Sequence, residues 1–110
     1  MSLGHLYFGF EGRIRAFTMI IASLASLVVI VPIIGLGFLL PPKLFLTLYI
    51  LLIIADLWSG LALTTKRLHD RDLPGIMCLV GFVPFIGGLI LLVIVLMPGT
   101  DGPNQYGPAP

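Results

Sequence analysis

The chain has 110 residues, 58% of them hydrophobic and 10% charged, with a net charge of +1 and a mean hydropathy of +1.13. Soluble domains carry roughly 25% charged residues; a chain this apolar has too little polar surface to face water, and lipid is the solvent it fits. The charge balance leaves no electrostatic footprint for nucleic acid, and the single cysteine, Cys78, excludes an internal disulfide and a cysteine-based zinc site.

Residues 1–16 read as a cytoplasmic interfacial segment, with Tyr7, Phe8 and Phe10 at headgroup level. Residues 17–40 carry no charge and read as a first transmembrane helix. This run is longer than the apolar region of a signal peptide, and no small-residue cleavage site follows it. Pro32, inside it, lacks the N–H that closes a helical turn and predicts a kink. Pro41-Pro42-Lys43 is a connection so short that the first two helices should form an antiparallel hairpin. The second helix is placed at 44–65, with Asp56 as its one charge.

Residues 66–75 form a basic loop. Lys66 and Arg67 suit the C-terminal end of helix two, where the dipole is negative. Asp70 or Asp72 is placed to cap a third helix, with Pro74 tolerated in its first turn. That third helix, 76–97, is uncharged but interrupted by Gly81, Pro84, Gly87 and Gly88. Each run reaches roughly 33–36 Å as helix, enough for a hydrocarbon core of about 30 Å. Residues 98–110 are a polar, Gly/Pro-rich tail. The fold class that follows is an all-α integral membrane protein, a single domain of three transmembrane helices.

Three spans place the N-terminus and the second connection on one side. Of the six Lys and Arg, that side holds Arg13, Arg15, Lys66, Arg67 and Arg71, and the other only Lys43. The imbalance predicts a cytoplasmic N-terminus and a tail outside. A re-entrant hairpin over 76–97 is the alternative, and it would return the tail to the cytoplasm. The cost of irregular backbone in lipid weighs against it.

Four stretches carry a resemblance. Phe10-Glu11-Gly12-Arg13-Ile14-Arg15 resembles the opening Gly-Arg motif of the bacterial domain of unknown function 805, the YhaH-like inner-membrane proteins. Lys66-Arg67-Leu68-His69-Asp70 is similar to that family's Arg-Arg-Leu-His-Asp motif, and Val83-Pro84-Phe85-Ile86-Gly87 to its Ile-Pro-x-Ile-Gly stretch. Pro98-Gly99, Gly102 and Asn104-Gln105-Tyr106-Gly107-Pro108 resemble its closing Asn-Arg-Tyr-Gly-Pro motif. Order and spacing match over nearly the whole chain. Ala16, Met19 and Ile20 replace the family's further Arg and aromatic pair. Pro74-Gly75-Ile76-Met77 stands for Ser-Gly-Trp-Trp, and Gln105 for the closing Arg. The resemblance implies a multi-pass protein of the bacterial inner membrane and implies no reaction.

Asp56 is the most informative single residue. A carboxylate near mid-span costs about 2.5–3.5 kcal/mol on the lenient insertion scale, so it should face the bundle, be neutral, or both. Asp56, Gly60 and Thr64 share one helix face, continued by Arg67. Ala22, Ser23 and Ser26 offer a comparable small polar patch on helix one, able to bond a carboxyl across helices. The functional reading of Asp56 is a proton or cation relay, and the structural one a neutral interhelical bond; the chain has no second intramembrane charge to complete a relay.

His69 and Asp70 invite a catalytic or metal reading, yet helical neighbours point about 100° apart. A third ligand from His5, Glu11 or Asp72 would stand at no recognised spacing. The structural reading has the loop charges pairing locally, with Arg67 and Arg71 gripping Asp70, Asp72 or Glu11 and tying the N-terminal segment to the loop. Arg13 and Arg15 are placed to anchor anionic lipid headgroups. Tyr106 is placed to cover the end of the bundle, with Gly107 making a turn. Asn104 has no assigned chemistry.

The site set from sequence is therefore Gly12, Arg13, Arg15, Asp56, Lys66, Arg67, Leu68, His69, Asp70, Asn104, Tyr106 and Gly107, with no cofactor and no metal. The first functional reading is a non-enzymatic scaffold, accessory or regulatory subunit. It would act through a membrane-protein partner, a second copy or lipid at the cytoplasmic face. The second is a small oligomeric transporter or ion-conducting protein using Asp56.

Overall fold

The computed structural model describes residues 2–110. Helix α1, Leu3–Phe8, is a short turn opened by Ser2, whose hydroxyl accepts from the His5 amide at 3.2 Å. Helix α2 runs Ala16–Gly37 without interruption, with Pro32 inside it. Helix α3 runs Pro42–Asp70, with Pro42 in its first turn, where a missing N–H costs nothing. The chain then forms an eight-residue 3₁₀ segment, Gly75–Phe82, and a ten-residue helix α4, Gly87–Leu96. The only β pairing among the described residues is an isolated bridge between Asn104 and Gly107.

Among the described residues, α2 and α3 are the two helices long and apolar enough to cross a membrane. Their surfaces remain largely exposed in the isolated chain, which is what a lipid-facing helix looks like without its lipid. Contacts between them run in reverse order. Gly37 abuts Phe45, Ile30 and Ile34 share a groove with Ile53, and Ala22 clusters with Leu63. Stacked rings of Phe38, Phe45 and Tyr49, at 5.0 and 5.9 Å, pin the connection between them.

Two sequence expectations are corrected. First, the basic stretch is helix, not loop: α3 continues through Lys66, Arg67, Leu68, His69 and Asp70. At 1.5 Å per residue its 29 residues reach roughly 43 Å, longer than an apolar core of about 30 Å. Neither Asp70 nor Asp72 caps the next element, which opens on Pro74 with no side-chain cap.

Second, residues 76–97 are not one continuous helix. The chain breaks over 83–86, where Phe85 takes a positive φ of 69° and is fully exposed. The second leg then doubles back along the first. Leu91 of α4 lies where a side chain on Gly81 would point. A Cβ on Gly87 would fall 2.2 Å from the Val80 carbonyl oxygen, so the return stroke requires glycine there. Both ends of the excursion lie beside the end of α3: Gly75 abuts Thr65, and Arg67 Nε donates to the Val95 carbonyl at 2.6 Å. Residues 98–110 emerge beside Asp70, where the Thr100 amide donates to the Asp70 carbonyl at 2.7 Å.

The tight reversal is open to a direct check. Gly87→Ala should lower stability by about 1–3 kcal/mol through overpacking. Gly88→Ala, where a Cβ meets nothing within 4 Å, should stay within about 0.5 kcal/mol of the parent. Thermal unfolding in detergent micelles measures both.

Candidate functional site

The polar end of α3 gathers three stretches that are distant in sequence. At its centre stands Asp70, 5% exposed. Arg13 meets it from the N-terminal segment, its Nε donating to Oδ1 at 3.0 Å and its Nη2 lying 2.9 Å from the same oxygen. Arg67, one turn back on α3, pairs with the other carboxylate oxygen, Oδ2. Two guanidiniums against one carboxylate leave a surplus of positive charge, and main-chain carbonyl dipoles surround it. Arg13 donates to the carbonyls of Gly102 at 2.7 Å, Thr100 at 2.8 Å and Gly107 at 3.1 Å. Arg67 donates to those of Val95 and Met97.

These bonds do structural work at the end of α4. The last carbonyls of a helix lack internal partners and carry its negative dipole end. Arg67 takes Val95 and Met97, while Arg71 takes Ile94 at 3.1 Å and Pro98 at 3.4 Å. Lys66, fully buried, donates from Nζ to the carbonyls of His5, at 2.6 Å, and Leu6 in α1. No buried side-chain nitrogen or oxygen among the described residues lacks a partner, so the network is closed, the condition under which buried polar groups rigidify a fold.

A second layer surrounds the cluster. His69 Nδ1–H donates to the Gly12 carbonyl at 3.0 Å, and its ring stacks on Tyr106 at 3.9 Å, nearly coplanar at 6°. Asn104 donates from Nδ2 to the His69 carbonyl at 2.9 Å and accepts the Tyr106 amide through Oδ1 at 2.9 Å. Gly12 and Gly107, at φ 95° and 123°, make the turns that aim these groups, a backbone region open chiefly to glycine. Leu68 is fully buried and packs with Cys78 and Val95. Cys78 lies 3.3 Å from the Thr65 hydroxyl, a buried small side chain.

Of the twelve residues singled out in the sequence, Gly12, Arg13, Lys66, Arg67, Leu68, His69, Asp70, Asn104, Tyr106 and Gly107 converge on this assembly. Arg15 lies at its exposed rim, with Nη2 donating to the Pro110 carbonyl at 2.8 Å. Asp56 stands apart. It is exposed on α3 between a groove shared with Ile30 and Ile34 of α2 and one shared with Gly81 and Leu91. Ser26 bonds back to the Ser23 carbonyl at 2.7 Å instead of reaching Asp56. The expected headgroup anchoring by Arg13 is also corrected: its side chain is 1% exposed and fully engaged within the protein. His69 and Asp70 serve different partners, and among the described residues no three potential metal ligands converge.

Sequence reasoning missed Thr100 and the acceptor carbonyls of Ile94, Val95 and Met97, and gave Gly99 a place in the closing motif but no contact. The main-chain amide of Thr100 donates to the Asp70 carbonyl at 2.7 Å, and a Cβ on Gly99 would fall 2.0 Å from Asp70 Oδ2. The pattern Pro98-Gly99 was their one visible signal.

Replacing Asp70 with Asn removes the charge that two buried guanidiniums share. The expected cost is about 3–5 kcal/mol, because breaking a buried pair strands its partner. Asp72→Asn, on an exposed residue, should shift stability by less than about 0.5 kcal/mol. Unfolding in micelles, with the rate of tail proteolysis as a second readout, separates the two.

A family described as "Protein of unknown function (DUF805)" matches residues 7–108. The inner membrane protein YhaI of Escherichia coli (strain K12) is 41% identical over 109 residues, covering 94% of this chain and 87% of its own. The inner membrane protein YhaH of the same strain is 39% identical over 64 residues, covering 58% of this chain and half of its own. These names state a location and no reaction. No solved structure matches. The matched span holds the opening Gly-Arg pair, the Leu-His-Asp end of α3 and the closing Asn-x-Tyr-Gly turn. The chain belongs to the DUF805 family of membrane proteins.

Proposed function

We propose that the protein is a non-enzymatic scaffold or accessory subunit of the bacterial inner membrane, acting by association at the cytoplasmic face. In this reading α2 and α3 cross the bilayer as an antiparallel hairpin, roughly 33 and 43 Å long against a core of about 30 Å. The eight-residue 3₁₀ segment and ten-residue α4 reach roughly 16 and 15 Å. They enter about halfway and return to the side they left. Both termini then lie with Arg13, Arg15, Lys66, Arg67 and Arg71, the side that the positive-inside rule makes cytoplasmic. The whole chain forms one membrane domain.

The observation that carries the reading is the closed cluster of Arg13, Arg67 and Asp70. It fastens the N-terminal segment, the end of α3 and the tail into one rigid platform. Exposed Glu11, Arg15, Asp72 and Asp101 decorate that platform, while the buried cations hold it together. A preformed surface of this kind suits docking, since ordering costs have already been met within the fold. Arg15, exposed at the rim, keeps the expected contact with anionic headgroups.

Extraction into lipid nanodiscs directly from native membranes tests this. The chain should migrate as a complex with a specific membrane protein, and Glu11→Lys with Asp101→Lys should weaken that complex about tenfold or more through charge mismatch at unchanged melting temperature. A lone chain in every preparation contradicts it. The exposed position of Asp56 at the middle of α3 favours a second reading, an oligomeric conductor of protons or cations. Liposome flux that disappears in Asp56→Asn supports that reading, and tight liposomes remove it.

A further inference from the structure

The two halves of α3 have different company. From Pro42 to Ala55 its neighbour is α2: Gly37 abuts Phe45, and Ile34 shares a groove with Tyr49 and Leu52. From Asp56 to Asp70 it also meets α1, the 3₁₀ segment and α4. Trp58 Nε1 donates to the Phe8 carbonyl at 3.1 Å, Leu68 packs with Cys78 and Val95, and Gly81 and Leu91 share a groove with Asp56. Among the described residues, five segments therefore pack together in one half of the molecule and two in the other. The apolar run of α3 ends at Thr65, before Lys66 and Arg67. Trp58 lies roughly 10 Å inside that end and Asp56 roughly 14 Å, against about 15 Å for half an apolar core. From α2 comes a similar depth, since Tyr7 Oη donates to the Ala22 carbonyl at 2.9 Å, roughly 8 Å past the start of the charge-free run at Phe17.

The backbone of α1 is prepared for such a depth. The last four carbonyls of a helix lack internal partners, and hydrocarbon supplies none. Of those four in α1, Lys66 Nζ takes His5 and Leu6, and Trp58 takes Phe8. The apolar side chains of Leu3 and Phe8 meanwhile point outward, both exposed. We propose that the protein is a wedge of the cytoplasmic leaflet: α1, the 3₁₀ segment and α4 lie among its acyl chains, and the molecule favours membrane that curves convex toward the cytoplasm. The proposal rests on the reading that α2 and α3 cross the bilayer and residues 75–96 do not, and not on the docking role of the platform. A body wider in one leaflet displaces more lipid there than in the other. Bending that expands the wide leaflet relieves the crowding, as it does for helices that insert into one leaflet only. The lipid surface is thus a partner that the shape of the fold selects by curvature, with no headgroup contact required.

The test uses purified protein in giant vesicles of phosphatidylethanolamine and phosphatidylglycerol, with Cys78→Ser as the background. Both orientations are present after reconstitution. A fluorescent, membrane-impermeant maleimide added outside marks one orientation through Asp101→Cys and the opposite one through Lys43→Cys, both at exposed positions. A narrow tube is then pulled outward, which expands the outer leaflet. Relative to a lipid dye, the chains marked at position 101 should be enriched in the tube about twofold or more, and the chains marked at position 43 should be depleted. Equal density in tube and flat membrane for both marks overturns the wedge. Sorting of the same sign for both marks overturns it too, because leaflet asymmetry must reverse with orientation. A chain carrying Glu11→Cys and Asp101→Cys together checks the underlying topology by intact mass after outside labelling. Two labels or none per chain keeps both ends on one side, so that absent sorting then counts against the wedge alone. One label per chain puts the ends on opposite sides and overturns the topology and the wedge with it.

Discussion

Asp70 sets one carboxylate between two guanidiniums at the polar end of α3, and the arrangement of the remaining chain follows from what that cluster demands. Two buried cations and one anion are not neutral. Carbonyl oxygens must complete the coordination, and Arg13 and Arg67 find them at Thr100, Gly102, Gly107, Val95 and Met97. Those acceptors lie on the tail and at the end of α4. Satisfying the charges therefore draws the tail and the end of α4 to the same end of α3 as the N-terminal segment. Replacing such a cluster with packed apolar residues can leave stability unchanged, whereas removing one member is costly. Its value is in fixing which segments meet.

The apolar elements were largely legible from the sequence. The charge-free run at 17–40 became α2 at Ala16–Gly37, and the run at 44–65 became the body of α3. Gly81, Pro84 and Gly87 marked the reversal at 83–86. What misled was length. Residues 76–97 have enough residues to span as α-helix, but the first leg is 3₁₀ and the legs fold together, so the same residues reach half as far. Length decides spanning only when the helix is unbroken.

The basic residues were legible as a group and misread as surface. Arg13, Lys66 and Arg67 were expected at a solvated membrane face, yet all three are buried. Composition records that a guanidinium is present, and its partners here are mostly main-chain carbonyls, which leave no trace in side-chain identity. The motif glycines were the better signal, since Gly12 and Gly107 sit where the backbone needs a positive φ. Asp56 was expected to face the bundle, be neutral, or both, and it lies exposed on α3 between two grooves.

The opening and closing motifs meet at the polar end of α3, and tail sidedness tests directly whether they share one side of the membrane. With Cys78→Ser as background, cysteines are placed singly at Glu11, Lys43 and Asp101, all exposed. Intact cells are then treated with a membrane-impermeant maleimide. Position 43 should be labelled, with positions 11 and 101 protected until the cells are lysed. Labelling of position 101 in intact cells, with position 11 protected, would put the tail across the bilayer from Arg13 and make the cluster around Asp70 impossible.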